Sequence, residues 1–308
     1  MCRVLAYLGG PILVDDLLYK TDAALVRQAT DPHLMQLLNL GGFGVAAWDP
    51  ESAEPGCPFT YRTPHVPMFD RNLKALAEKV RARAVIGHVR GVVYEPSERV
   101  GPHNVHPFRF EGAAFALAQN GDLHDFGRMR FDLLDHVGRE LADRIEGTTD
   151  TEWFYALALA QLEDPWSPCT ADELAGAIRR ALAIVHDVRN ANGIASQSPI
   201  NVVASDGRSL VATRYVFDYG WYVEDDSFFA GEREHDFTSL WYTAGAGYGL
   251  VDGEWQMLPA ERPTSILVAS EPLTRDVSTW LQAPEYTMLV ARLDDDEGIE
   301  VELRDVTL

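Results

Sequence analysis

Apolar residues in the first half of the chain fall into short runs that are typical of strands. These runs predict strands over residues 3–8, 42–48 and 84–89. Between the last two, residues 72–83 repeat apolar positions at helical spacing, which predicts a helix. The first half is therefore expected to alternate strands with at least one helix.

Two longer helical patterns follow in the second half, over residues 151–162 and 171–189. The second pattern keeps Leu174, Ile178 and Leu182 on one face, as an amphipathic helix requires. The polar segment 223–238 predicts a surface loop, which we expect to lie near the functional site of the protein. Further strands are predicted over residues 200–204, 209–216, 239–243 and 265–269.

Clusters of strands separated by long helices favour an α+β fold. Two stacked antiparallel sheets, each covered by helices on its outer face, bury the apolar side of every element. The sequence therefore predicts a four-layer αββα sandwich. With 308 residues and 46% hydrophobic content, the chain is long enough for one large domain or two small ones.

Charge and cysteine content restrict the class of protein. The net charge of −21 argues against nucleic acid or an anionic membrane as a partner. Three widely separated cysteines, Cys2, Cys57 and Cys169, do not form a disulfide framework, which favours a reducing cytoplasm. The first ten residues lack the features of a signal peptide, and no apolar run is long enough to span a membrane. These features predict a cytoplasmic protein.

Cys2 directly follows the initiator Met1. Removal of that methionine would leave a thiol and a free α-amine on one residue. A free α-amine has a pKa of about 7.7–8.0, near enough to neutrality to accept the proton of the thiol. Cys2 is therefore a candidate nucleophile that carries its own base, provided that Met1 is removed.

Three segments further along the chain carry candidate polar groups, and each has an ordinary structural interpretation. Asn120-Gly121 is also a hairpin-turn sequence. Thr149 and Glu152 have the spacing of a capping box, so Asp150 between them would serve only the helix dipole. Arg90 follows a buried strand, where an arginine is more often a surface ion-pair partner. The segments are His88-Val89-Arg90, Gln119-Asn120-Gly121-Asp122-Leu123 and Gly147-Thr148-Thr149-Asp150-Thr151-Glu152.

Together with Met1-Cys2-Arg3, these segments form an ordered pattern that resembles the class II glutamine amidotransferases, which are N-terminal nucleophile hydrolases. Within this family it resembles specifically the compact branch that includes the γ-glutamyl amide hydrolases of ergothioneine biosynthesis and glutathione degradation. The resemblance covers nearly the whole chain and implies one glutamine amidotransferase domain over residues 1–308. It extends to Asn104-Val105-His106-Pro107-Phe108, Asn201 with Asp206-Gly207, and Ala269-Ser270-Glu271-Pro272-Leu273 followed by Trp280.

The resemblance also implies a role for each candidate residue. Cys2 would attack the side-chain amide of glutamine or of a γ-glutamyl compound and form an acyl-thioester. The Asn120 side chain and the Gly121 backbone N–H would form the oxyanion hole. Arg90 would bind the α-carboxylate of the substrate, and Asp150 its α-ammonium group. This chemistry needs no metal or other cofactor.

Three positions depart from the family pattern. Gly41 stands where the family usually has an acidic residue, Val93 where a threonine is common, and Gln119 where a histidine is common. The resemblance and these departures together leave two possible functions. The first is an amide hydrolase, either acting alone or as a glutaminase subunit beside a separate synthase. The second is a degenerate family member that only binds a partner or ligand.

Overall fold

Antiparallel pairing joins almost every strand of the protein to a neighbour in one of two large sheets. The computed structural model describes residues 2–34, 38–92, 100–220, 238–294 and 298–308. Its strands are β1 Arg3–Leu13, β2 Phe43–Trp48, β3 Phe59–Thr63, β4 Arg81–Val89, β5 Ala116–Gly121, β6 Ser198–Ser205, β7 Ser209–Arg214, β8 Val216–Phe217, β9 Trp241–Gly245, β10 Gly247–Val251, β11 Glu254–Leu258, β12 Ser265–Ala269, β13 Leu281–Gln282, β14 Thr287–Leu293 and β15 Ile299–Asp305.

The helices of the described residues differ widely in length. They are α1 Val14–Leu18, α2 Arg71–Ala77, α3 Phe126–Leu134, α4 Arg139–Ala142, α5 Asp150–Leu159 and α6 Ala171–Ala191, with single 3₁₀ turns at Arg27–Ala29, Pro67–Phe69 and Pro102–Asn104. None of the helices in the described residues has the length and apolarity needed to cross a membrane.

The first sheet has seven strands in the order β13-β9-β12-β1-β4-β2-β3, so β1 lies in its centre. The second has the order β15-β14-β7-β6-β5, and β8 pairs with β6 beside it. A separate hairpin consists of β10 and β11. Because β12 pairs with β1, the late part of the chain completes the sheet that its first strand begins.

Side chains alternate between the two faces of β1 with the period of two that a strand imposes. Val4, Ala6 and Leu8 lie in an apolar cluster with residues of β5, β6 and β7, so this cluster fills the space between the two sheets. Leu5 and Tyr7 belong instead to a cluster on the outer face of the first sheet, beneath α1 and α2. Helices α3, α5 and α6 cover the outer face of the second sheet. The predicted αββα sandwich is confirmed.

Most predicted strands agree with the structure within a few residues, but the predicted helix over residues 72–83 is wrong in its second half. Asp70 caps α2 by accepting hydrogen bonds from the N–H groups of Asn72 and Leu73, and the helix ends at Ala77. From Arg81 the chain pairs with β1. Pairing with the central strand therefore overrides the local helical pattern.

Several strands were not predicted from the pattern of apolar residues, among them β14 and β15. β14 and β15 pair with each other over their full lengths, and β14 also pairs with β7. The predicted loop over residues 223–238 lies outside the described residues, except for Thr238.

Candidate active site

The alternation of side chains brings three of the predicted site residues to the space between the sheets. Cys2 stands two positions before Val4, and Asn120 two positions after Ala118, both of which belong to the inter-sheet cluster. Arg90 follows Ile86 of the same cluster by four positions, an even number. Arg3 pairs with Val89, so Cys2 and Arg90 flank neighbouring strand ends.

The Cys2 sulfur lies against the backbone of Gly91. The N–H of Gly91 donates to Sγ at 3.3 Å, and the Gly91 carbonyl oxygen lies 3.7 Å from it. Burial raises the pKa of the Cys2 thiol, while the Gly91 N–H and the positive charge of Arg90 act to lower it. The negative charge of Asp150 raises it further. Cys2 therefore lies within electrostatic reach of both charged residues predicted for the site.

The residue after Cys2 anchors the start of β1 from the opposite face of the sheet. Arg3 donates to the Cys2 carbonyl oxygen at 3.1 Å and forms a buried ion pair with Glu271 at 3.4 Å. Glu271 also accepts from the backbone N–H groups of His33 and Leu34, at 3.1 and 3.0 Å. This contact network fixes the backbone that carries the thiol.

Arg90 is held by a two-glycine segment. The Gly41 N–H donates to the Arg90 carbonyl oxygen, and the Arg90 N–H donates to the Gly42 carbonyl oxygen, each at 2.8 Å. A Cβ at Gly41 would lie 2.6 Å from a methyl group of Val92. The glycine that departs from the family pattern therefore fits this close approach. The departure at Val93 lies outside the described residues.

Asn120 and Gly121 lie within β5 and do not form a hairpin turn, so that interpretation is wrong. They pair with Asn201 and Ile200 of β6, a strand that follows much later in the chain. Gly121 has φ 144°, and a Cβ there would lie only 1.8 Å from the Pro199 carbonyl oxygen. The glycine is thus needed for close packing of two backbones.

Asp150 begins α5 and connects this helix to the end of β5. Its Oδ2 accepts from the Leu123 N–H at 2.7 Å and from the Gln119 side chain at 3.4 Å, while Oδ1 accepts from the Thr151 N–H at 2.7 Å. Burial raises the pKa of the Asp150 carboxyl group, and these donors oppose that shift. Because it bonds to groups outside its own helix, Asp150 does more than complement the helix dipole.

The family-level comparison agrees with this architecture. The sequence model of the family described as "Glutamine amidotransferases class-II" matches residues 41–301. The protein belongs to the class II glutamine amidotransferases. The matched range begins after Cys2, so it carries no information about the candidate nucleophile.

Individual proteins are also similar to this class II glutamine amidotransferase in sequence or in fold. The chain is 29% identical over 313 residues to the probable glutamine amidotransferase DUG3 of Saccharomyces cerevisiae, covering 95% of this chain and 82% of the yeast protein. A glutamine aminotransferase class-II domain protein from Silicibacter pomeroyi shares the fold with a TM-score of 0.60 at 21% identity, with both chains fully covered. Glutamine phosphoribosylpyrophosphate amidotransferase from B. subtilis has a TM-score of 0.59 at 16% identity, where this chain covers 50% of that one.

The loop before Asp150 in this amidotransferase is held from two sides. Asn104 donates to the Thr148 hydroxyl at 3.0 Å and accepts from the Thr148 N–H at 2.8 Å. Glu152 accepts from the N–H groups of Glu146 and Gly147, at 3.1 and 2.5 Å. Thr149 occupies the N-cap position without a side-chain capping bond, so the predicted capping box is wrong. Glu152 instead holds the loop that leads to Asp150.

Two buried histidines, His88 on β4 and His106 after the 3₁₀ turn Pro102–Asn104, lie next to each other. The rings of His88 and His106 stack with centroids 4.1 Å apart, and the His106 Nδ1 accepts from the Gln119 N–H at 3.3 Å. Within the described residues neither ring nitrogen of His88 has a hydrogen-bond partner. Burial and the charge of Arg90 lower the pKa of His88 to about 3. Burial also lowers the pKa of His106, so both rings are neutral in the folded protein at neutral pH.

This histidine pair predicts sensitivity to acid. Between pH 6.5 and about 3 the unfolded chain binds a proton at His88 that the folded chain does not bind, so stability falls as the pH falls. The slope for one such histidine is about 1.4 kcal/mol per pH unit well below its unfolded pKa. Urea unfolding from pH 7 to 4.5 should show a smaller loss of stability in His88→Gln than in the wild type. His186→Gln, at a residue whose side chain is 41% exposed, should retain the full loss.

Proposed function

We propose that the protein is a hydrolase that cleaves the side-chain amide of glutamine, or of a γ-glutamyl compound, through an acyl-thioester on Cys2. The observation that carries the proposal is the position of the Cys2 sulfur. It contacts the backbone of Gly91 beside Arg90 and lies within electrostatic reach of Asp150. A nucleophile that feels the charges of one buried cationic side chain and one half-buried anionic side chain fits a zwitterionic amino-acid substrate.

In the proposed reaction, the Cys2 sulfur attacks the side-chain carbonyl carbon while its α-amine, freed by removal of Met1, takes the thiol proton. The carbon–nitrogen bond then breaks, and the amine returns the proton to the departing ammonia or amine. Water attacks the resulting thioester, releasing glutamate and restoring the thiol. Because burial raises the pKa of Cys2, the resting group is a thiol, and attack requires this proton transfer.

Two donors would stabilise the negative charge that develops on the carbonyl oxygen. The Asn120 side-chain amide and the Gly121 backbone N–H are preorganised on a paired strand, which lowers the cost of aligning them during reaction. Arg90 would hold the α-carboxylate through its planar guanidinium group, and Asp150 the α-ammonium group. A bound ammonium group would offset the desolvation that raises the pKa of Asp150.

The departures at Gly41 and Gln119 are compatible with activity. The Gly41 N–H bonds to the Arg90 carbonyl oxygen, and the Gln119 side chain bonds to Asp150, so both positions contact residues with proposed substrate-binding roles. This favours the hydrolase over a degenerate family member that acts only as a binding or partner subunit.

The proposal includes one glutamine amidotransferase domain over residues 1–308 in a reducing, cytoplasmic environment. Pairing of β12 with β1 supports the single domain, and the free thiols of Cys2, Cys57 and Cys169 support the environment. The ammonia released from glutamine would leave to solvent, or pass to a separate synthase subunit.

Two measurements on the purified chain test the proposed function. Intact-mass spectrometry should show a protein that lacks Met1, because a retained methionine removes the α-amine of Cys2. Glutamate release should then be measured with glutamine and with a panel of γ-glutamyl amides, of which at least one should turn over. Retention of Met1 together with no release from any compound would favour the binding protein and sink the hydrolase.

A further inference from the structure

Ser270 lies one residue beyond the end of β12 and next to the candidate active site. Because Leu5 of β1 pairs with Ala269, the next residue, Ser270, lies opposite Val4. Val4 stands two residues after Cys2. It is only 3% exposed. Val268 belongs to the inter-sheet cluster, and Ser270 has the same parity on the strand, so its side chain points toward the second sheet.

The hydroxyl oxygen of Ser270 accepts two hydrogen bonds from different sheets. The Val4 N–H donates to it at 2.9 Å, and the side-chain amide nitrogen of Asn120 donates to it at 3.0 Å. A hydroxyl oxygen has two lone pairs, and these two donors occupy both. One atom therefore joins the strand that carries the candidate nucleophile to the side chain of the proposed oxyanion hole.

Ser270 is itself held at its backbone. Its N–H donates to the Val4 carbonyl oxygen at 2.9 Å, and its carbonyl oxygen accepts from the Ser239 hydroxyl at 2.8 Å. The oxygen that binds Asn120 is thus attached to a fixed section of the central sheet. A fixed acceptor can define the orientation of the amide plane more sharply than a mobile one.

The Asn120 amide has few other contacts that could set its orientation. Asn120 is 2% exposed, and its Oδ1 has no hydrogen-bond partner within the described residues. The amide nitrogen carries two hydrogens, of which the bond to Ser270 uses one. The second hydrogen remains available for a carbonyl oxygen that becomes negatively charged.

We propose that Ser270 is a positioning residue for the acyl transfer. It orients the Asn120 amide so that the second N–H faces the developing oxyanion, and it keeps that donor in register with Cys2 through Val4. This inference rests on the proposed function, because it assigns Ser270 a role in that reaction. It applies to the transition state, in which the oxyanion exists, and not to binding of the amino-acid end by Arg90 and Asp150.

The test is the kinetics of glutamate release by Ser270→Ala, using the substrate from the panel that the wild type turns over best. Loss of one oxyanion donor lowers kcat by about 10²–10³, so misorientation of that donor should lower kcat at least about tenfold. KM should change by less than about threefold because ground-state binding is unaffected. Ser205→Ala is the matched control, since the buried Ser205 hydroxyl donates to the Ser209 carbonyl oxygen and accepts from the Gly207 N–H, where β6 turns into β7, and not from Asn120. Its kcat should stay within about twofold of the wild type.

A double-mutant cycle separates positioning from a general loss of structure. If Ser270 acts through Asn120, then Ser270→Ala added to Asn120→Ala should lower kcat little further. If the two residues acted independently, the two reductions in kcat would multiply. Ser270→Cys preserves the side-chain volume with a weak acceptor and serves if the alanine variant does not fold. It should show the same selective loss of kcat.

The outcomes are distinct for the two proposals. A wild type that releases no glutamate from any compound removes the proposed function, and the role of Ser270 with it. An active wild type overturns the Ser270 inference alone if folded Ser270→Ala or Ser270→Cys keeps the wild-type kcat, or if the effects of Ser270→Ala and Asn120→Ala multiply.

Discussion

Cys2→Ala is expected to lower glutamate release at least about a thousandfold, because removal of a nucleophile leaves only the residual rate from binding and oxyanion stabilisation. The wild type and the variant should be compared at saturating substrate, with release of glutamate as the readout. The variant should keep the fold, since the Cys2 side chain makes its hydrogen bonds only to the Gly91 backbone among the described residues.

The other two cysteines provide matched controls for this prediction. Cys57 is exposed, and Cys169 lies beside α6, where burial and nearby carboxylates raise the pKa of its thiol to about 12. Alanine at either position should leave the rate within about twofold of the wild type. Equal rates for Cys2→Ala and the wild type would remove Cys2 from the mechanism. A loss of rate in Cys57→Ala or Cys169→Ala would assign part of the reaction elsewhere.

Gly121→Ala is expected to lower both stability and kcat. The added Cβ would lie 1.8 Å from the Pro199 carbonyl oxygen at a residue with φ 144°, so β5 and β6 must separate or the backbone must rotate. We expect a loss of at least about 3 kcal/mol in the free energy of unfolding, measured by urea denaturation. In the molecules that remain folded, the displaced N–H should lower kcat by about 10²-fold or more.

Gly112→Ala is the control that separates backbone strain from collision. Gly112 also has positive φ, 77°, but a Cβ there would meet no atom within 4 Å. Its variant should lose about 1 kcal/mol of stability and retain the wild-type kcat. If Gly121→Ala were no less stable than Gly112→Ala, the close approach to Pro199 would not be the reason for glycine at this position.

The sequence predicted the layers of the fold better than the boundaries of its elements. Continuous apolar runs on β1 and β4 reflect burial on both faces of a sheet, and that signal is strong. The helix predicted over residues 72–83 failed because the pairing of Arg81 with Leu13 is a tertiary effect with no local signature.

The candidate site shows the same division between local and tertiary information. The resemblance to a family supplied the residue set, and strand parity then accounts for why Cys2 and Asn120 face one space. The alternative interpretations, a turn at Asn120-Gly121 and a capping box formed by Thr149 and Glu152, are wrong because short motifs carry no information about distant partners. The Ser270 contact joins residues 150 positions apart, so no pattern along the chain predicts it.

The central place of β1 in its sheet has a consequence for how activity and unfolding are related. Pairing with β4 begins at Arg3, next to Cys2, and pairing with β12 begins at Leu5. A strand paired on both edges exchanges its amide hydrogens only in the rarest, most extensive openings of a protein. The proposed nucleophile therefore lies three residues before the section of β1 that is paired on both edges, and we expect activity to be lost on denaturation together with the opening of this sheet.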